Sequence, residues 1–251
     1  MSFKAELQSG RPQIGTWCVI PSPEVVDVIA ASGVDFVIID LEHGPMDFVT
    51  AGRMVRAAKA RRSASVVRVG KNSEHDILRA LDIGADGVIV PHVETETDRD
   101  RALSYLKYPP AGSRGYSPYT PAASYRTEDE YTGTANRQVV AGIIVEGERG
   151  IADIDAVVDD PRLDLVYIGT YDISAALGIP GRTRDDRVIE VLEACAKKVL
   201  AKGKIPGCLY HDAEERELFL KIGITFLCYS VDAAVIREAF YEQAVRRRPR
   251  R

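Results

Sequence analysis

Eight short runs of β-branched and apolar residues alternate along this chain with eight segments of helical periodicity, and that alternation limits the fold more than any other feature. The runs are Gln13 to Ile20, Val34 to Asp40, Ser65 to Val69, Gly87 to Val90, Val139 to Glu146, Leu163 to Ile168, Ile205 to Tyr210 and Ile224 to Tyr229. Between and after them, Pro23 to Ala31, Met46 to Ala60, Glu74 to Ile83, Glu96 to Leu106, Ile151 to Val158, Arg187 to Ala201, Ala213 to Ile222 and Ala233 to Val245 space apolar residues by three or four. Ser22, Ser73 and Asp232 supply N-caps, and Gly33, Gly84, Gly203 and Gly223 stand where a left-handed residue turns a helix back toward the next strand. Strands this apolar have no wet face, so the pattern predicts an α/β fold, a closed parallel (β/α)8 TIM barrel wrapped by its helices.

A length of 251 residues suits one such barrel, and 45% hydrophobic residues suffice for one core, so a single domain over 1–251 is expected. No apolar run reaches the length of a membrane span, and the first residues lack a secretion-signal pattern. The expectation is a cytoplasmic protein with no membrane partner. A net charge of −4 gives no reason to expect nucleic acid, and the basic tail Arg246 to Arg251 is read as a solvated terminus. The widely spaced Cys18, Cys195, Cys208 and Cys228 suit reduced, mostly buried thiols. One connection is out of scale. The segment from about 108 to 136 is rich in Pro, Gly, Ser and Tyr, and Tyr116, Tyr119, Tyr125 and Tyr131 argue for an ordered loop, expected over the active-site region or at a subunit contact.

The apolar runs end on chemistry-bearing residues, as strands of a parallel β/α enzyme do. Glu146 and Asp172 lie one βα repeat apart, at the ends of neighbouring strands. Adjacent strands are about 5 Å apart, so both acids reach one cation whose oxygen ligands sit at about 2.0 to 2.6 Å; without a cation they repel. Two carboxylates leave most of an octahedral shell to water and substrate, which suits Mg²⁺ or Mn²⁺, with Co²⁺ as a further candidate. The structural alternative is that either acid caps a helix or pairs with a neighbour such as Arg149. Arg68 interrupts an apolar strand, and its planar set of donors suits a carboxylate or enolate oxygen, with an ion pair to Asp40 or Glu42 as the rival. His43, beside Asp40 and Glu42, is the preferred proton carrier. His92 and His211 also follow strand ends and rank below it, and His75 falls on a solvated helix. A Schiff base through Lys71 is the metal-free route, while Lys204, at the start of a strand, faces the wrong rim.

Several linked motifs resemble one enzyme family over nearly the whole chain: Ser2-Phe3-Lys4-Ala5, Gly10-Arg11-Pro12-Gln13-Ile14-Gly15-Thr16-Trp17, Ile39-Asp40-Leu41-Glu42-His43, Val66-Val67-Arg68, Tyr108-Pro109-Pro110-Ala111-Gly112-Ser113-Arg114-Gly115 and Ile168-Gly169-Thr170-Tyr171-Asp172-Ile173-Ser174. They are similar to the HpcH/HpaI family of class II, metal-dependent pyruvate aldolases, of the 4-hydroxy-2-oxoheptanedioate and 2-keto-3-deoxyglucarate type. The resemblance implies a homo-oligomer, commonly a hexamer, whose last helix is exchanged between subunits. It implies reversible cleavage of a 4-hydroxy-2-oxo acid to pyruvate, or a related 2-oxo acid, and an aldehyde. By position, Glu146 and Asp172 would be the metal ligands, Arg68 would hold the pyruvyl oxygen, and His43 with Asp40 would form the acid/base pair. The backbone amides of Tyr171 and Asp172 would hold the substrate carboxylate, and Trp17 would lie near the pocket mouth. The chain departs from the family where Gly169-Thr170-Tyr171-Asp172 replaces Gly-Pro-Ala-Asp, where Ile144 replaces a glutamine, and where His92 replaces an apolar residue. These changes fall on the acceptor side. They leave open a carbon–carbon-forming transferase that condenses an enolate with a thioester as a citrate synthase does; a non-catalytic barrel subunit is the other rival.

Overall fold

In the computed structural model, which describes residues 2–246, eight parallel strands close on themselves in sequence order, each paired with the next and β8 with β1. They are β1 (Gln13–Cys18), β2 (Phe36–Asp40), β3 (Ala64–Arg68), β4 (Gly87–Val90), β5 (Val140–Val145), β6 (Leu165–Ile168), β7 (Ile205–Tyr210) and β8 (Phe226–Val231). Each lies within or overlaps one expected run. Of the basic tail, Arg246 alone is among the described residues.

Side chains alternate in and out of the barrel wall, and two cores result. Trp17, Phe36, Ile38, Val66, Ile144 and Tyr167 fill the inside, while Val37, Ile39, Val67, Val88, Ile143 and Val166 pack outward under the helices. The inner aromatics fit because glycine faces them. A Cβ on Gly15 would lie 2.4 Å from the Phe36 ring, and one on Gly207 would lie 2.8 Å from Phe226, whose ring stacks on Phe36 at 4.0 Å. A short helix that periodicity did not reveal, Phe3–Gln8, buries Phe3 and Leu7 in this inner core, with Phe3 5.8 Å from Phe36.

The long connection is ordered, but its position corrects the expectation of a loop over the active site. It leads from helix Glu96–Leu106 into β5, so it must return to the N-terminal rim, opposite the strand ends that carry the acids. There Tyr108, Tyr116 and Tyr131 form an aromatic cluster with ring centres 5.9 to 6.0 Å apart, and Arg114 pairs with Asp82 at 2.7 Å. The segment also contains a helix, Tyr131–Gln138, absent from the expected set. Expected helix Ile151 to Val158 is two short turns, Glu148–Ala152 and Ile154–Val157, and Thr170–Ala176 forms a further helix directly after β6.

The last helix, Asp232–Phe240, continues as a π-helical turn, Tyr241–Val245, and buries little of itself. Asp232 anchors its start by accepting from the amides of Val19 and Ile20, both at 3.1 Å. Beyond that point Ile236 and Phe240 are exposed, and an apolar groove of 530 Å³, lined by Val25, Val28, Ile29, Val34, Val235 and Ile236, lies open beside helix Pro23–Ala31.

The glycine and aromatic complementarity inside the barrel has a measurable consequence. Gly15→Ala is expected to lower the unfolding free energy by about 2 to 3 kcal/mol, because the new methyl meets both the Phe36 ring and its backbone oxygen. Gly115→Ala, where the nearest foreign atom would be 3.9 Å away, should leave the urea midpoint nearly unchanged; equal midpoints for the two variants would contradict this packing.

Candidate active site

Along four of the strands the inward register continues past the apolar core to the C-terminal rim, and on β2, β3 and β5 it ends on charged residues. Phe36 and Ile38 lead to Asp40, Val66 leads to Arg68, Ile144 leads to Glu146, and Tyr167 leads to Gly169. They surround a cavity of 390 Å³ whose lining includes Trp17, Asp40, His43, Arg68, Glu146, Tyr171 and Asp172. The seven residues favoured from the sequence are brought together there, whereas His92 and His211, ranked below His43, do not line it.

Asp40 and Arg68 face each other across the β2–β3 register. The guanidinium donates from Nε to Asp40 Oδ1 at 2.8 Å and from a terminal nitrogen to Oδ2, a bidentate pair. It also meets Glu42 at 3.1 Å and lies 4.5 Å over the Trp17 ring. Burial opposes its charge, but the carboxylates of Asp40 and Glu42 outweigh burial and raise its pKa above the ordinary arginine value. The ion pairs weighed as a rival for Arg68 are therefore both formed. They hold its planar group at the cavity wall. Trp17 is buried and donates its indole N–H to the Tyr167 hydroxyl at 2.8 Å, so it forms the floor of the site and does not stand at its mouth.

The carboxylate expected to hold the His43 imidazole has a different partner. Asp40 Oδ1 accepts from the backbone amides of Glu42 (3.0 Å) and His43 (3.2 Å), which fixes the turn carrying His43 without touching its ring. The imidazole clamped by acids belongs to His92. Its Nε2 lies 2.8 Å from Glu42 and its Nδ1 2.9 Å from Glu146, and its amide donates to Glu146 at 2.8 Å. His92 reaches both because its backbone is left-handed, with φ 55°, a conformation the sequence does not announce.

Glu146 and Asp172 flank Gly169. A Cβ at that glycine would come within 2.8 Å of Asp172 Oδ2 and 3.4 Å of Glu146 Cβ, so the bare backbone is what lets the two acids converge. Burial raises the Glu146 pKa, and the negative charges of Asp172 and Glu42 push it the same way against His92. Asp172 sits in the first turn of helix Thr170–Ala176, whose leading amides receive no side-chain cap. The alternative partner of Glu146, Arg149, turns to Asp153 instead, at 3.9 Å. No lysine lines the cavity. Lys204 donates to the carbonyls of Asp160 and Leu163 at the far rim. The cysteines are free and buried, and burial pushes the Cys208 thiol up to about 12, so none offers a ready thiolate.

Comparison with known proteins identifies the family. Residues 13–239 match the model of the family described as HpcH/HpaI aldolase/citrate lyase. The chain belongs to that family. A 5-keto-4-deoxy-D-glucarate aldolase of Citrobacter koseri is 33% identical over 237 residues, spanning 94% of this chain and 92% of the relative. Among solved structures, the citrate synthase SbnG superposes with a TM-score of 0.88 at 31% identity, covering 96% of this chain and 95% of that one. An HpcH/HpaI aldolase of Desulfitobacterium hafniense superposes with a TM-score of 0.92 at 26% identity, covering 99% and 98%. The chain is thus an enzyme of the carbon–carbon lyase class, built on the aldolase barrel.

Removing the Asp40 charge takes from buried Arg68 its bidentate partner and leaves it Glu42 alone. Asp40→Asn is expected to cost about 3 kcal/mol of stability in denaturant titrations, and to lower activity by freeing both Arg68 and the His43 turn. A variant as stable and active as the parent would show that this pair holds nothing in place.

Proposed function

We propose that this enzyme reversibly cleaves a 4-hydroxy-2-oxo acid to pyruvate, or a related 2-oxo acid, and an aldehyde, using a divalent cation held by Glu146 and Asp172. The observation that carries this reading is the convergence of these two carboxylates with Arg68 and His43 on one cavity at the C-terminal rim. The donor set fits a hard cation. Four acids, Asp40, Glu42, Glu146 and Asp172, cluster about one permanent cation, Arg68, and the gap at Gly169 keeps the two proposed ligands adjacent. Oxygen donors favour Mg²⁺ or Mn²⁺. When bound, the cation supplies Lewis acidity toward the oxygens of the oxo acid.

The protein groups divide the remaining work. The uncapped amides at the start of helix Thr170–Ala176 would receive the substrate carboxylate. Arg68 donates to the oxo oxygen, where negative charge grows as the C3–C4 bond breaks and its electron pair passes into the enolate. His43, directly or through one water, takes the C4 hydroxyl proton as C4 becomes a carbonyl; that proton, or one exchanged with water, goes to C3 of the enolate to give pyruvate, and condensation runs the reverse. Asp40 and Glu42 orient Arg68, and Trp17 forms the apolar floor.

The similarity to a citrate synthase supports a second reading, in which the same enolate chemistry serves a condensation with a thioester. Turnover of acetyl-CoA with oxaloacetate, and none of hydroxy-oxo acids, would select it.

The open groove beside helix Pro23–Ala31 supports exchange of the last helix between copies. Ile236 and Phe240 stand exposed on a helix that leaves its own barrel, and a second copy of that helix has the apolar face such a groove takes.

Two outcomes check these proposals. EDTA should abolish cleavage and Mg²⁺ or Mn²⁺ restore it, and Glu146→Gln should reduce kcat/KM by about a hundredfold or more; activity that survives chelation and is trapped by borohydride would replace the metal with a lysine imine. Ile236→Asp should shift the sedimentation profile toward monomer, whereas an unchanged oligomer would place the interface elsewhere.

A further inference from the structure

Outside the cluster that holds the acids, a second polar recess of 650 Å³ adjoins the cavity and shares Tyr171 as a common wall. Tyr171 is half exposed in the first turn of helix Thr170–Ala176, and its hydroxyl is 3.0 Å from Nε2 of His211, just past the end of β7. His211 is held from behind. The Glu215 carboxylate accepts from its backbone amide at 2.7 Å and from Nδ1 at 2.8 Å, and Glu215 is itself buried and paired with Arg184 at 2.8 Å.

This chain fixes the direction of every bond in the neutral imidazole. With Nδ1 donating to a carboxylate, Nε2 carries the lone pair, so the tyrosine hydroxyl must donate to it. The phenol has one proton, and it is spent. Its oxygen retains lone pairs, so toward the cavity it accepts a hydrogen bond and offers none. An incoming group recognised here is a donor, which an alcohol is and a carboxylate is not. The charges of the recess agree, because its guanidiniums are already matched by acids: Arg184 by Asp212 and Glu215, and Arg182 by Asp185 at 3.0 Å.

Resting on the aldolase reading above, we infer that the Tyr171–His211–Glu215 relay selects the aldehyde partner, favouring hydroxylated aldehydes over unsubstituted ones. Tyr171 makes the contact, and His211 and Glu215 are positioning residues that act through it. The recess gives the hydroxylated tail room beyond the phenol.

The test is aldol addition of pyruvate, in the presence of Mg²⁺ or Mn²⁺, to glycolaldehyde and to acetaldehyde, which differ by a single hydroxyl. The parent enzyme should favour glycolaldehyde in kcat/KM by about tenfold, the value of one well-placed hydrogen bond. His211→Phe should bring the two aldehydes close to parity, mainly by raising KM for glycolaldehyde. His211→Gln, whose amide can donate to Glu215 and accept from Tyr171, should recover most of the preference, a rescue that a merely structural role would not produce. Equal use of both aldehydes by the parent, or a preference that survives His211→Phe, would overturn the inference while leaving the aldolase reading intact. Addition to neither aldehyde would overturn both.

Discussion

Negative charge in excess, gathered at the end of an apolar barrel, is the constraint on which the site depends. Asp40, Glu42, Glu146 and Asp172 share a small volume with one permanent cation, Arg68. Part of the surplus is relieved locally, because Arg68 takes Asp40 and Glu42, and the His92 ring lies against Glu42 and Glu146. Glu146 and Asp172 are left with unpaired capacity beside bare backbone at Gly169, and burial adds to the cost of the Glu146 charge. In the proposed function a divalent ion offsets this surplus, and the anionic oxo acid binds through that ion.

The barrel makes this concentration possible by periodicity. Each inward position is spaced by two along its strand, so the residues that pack Phe36, Ile38 and Val66 against one another also aim Asp40 and Arg68 at the rim. Glycine at Gly15 and Gly207 admits the large rings below, and glycine at Gly169 admits the acids above. Stability and chemistry are thus set by the same alternation, read at different heights. The opposite rim carries the aromatic cluster of the long connection.

Much of this was legible in the residues. Strand ends stood out because an apolar run that stops on Asp40, Arg68 or Glu146 marks both a boundary and a direction, and a strand followed by a helix defines which rim is which. The same logic would have placed the 108–136 segment correctly, since a helix-to-strand connection returns to the N-terminal rim; aromatic content gave its order but not its side. His92 was undervalued because its reach depends on a left-handed backbone, which a lone histidine after Pro91 does not signal. Proximity in sequence does not distinguish a bond from the His43 amide to Asp40 from one made by the His43 ring, and the structure has the former. Helix Thr170–Ala176 escaped notice because it is short and begins as soon as β6 ends. The pairing of Tyr171 with His211 spans two βα units, and nothing local in either segment foretells it.

The claim most exposed to test is that Glu146 and Asp172 hold a cation that lets the site form an enolate. Exchange of pyruvate methyl protons into D₂O, followed by NMR with no aldehyde present, isolates that step. The account predicts exchange that requires Mg²⁺ or Mn²⁺ and is lost in Asp172→Asn. Exchange that persists after chelation, or none with any divalent cation, would contradict it.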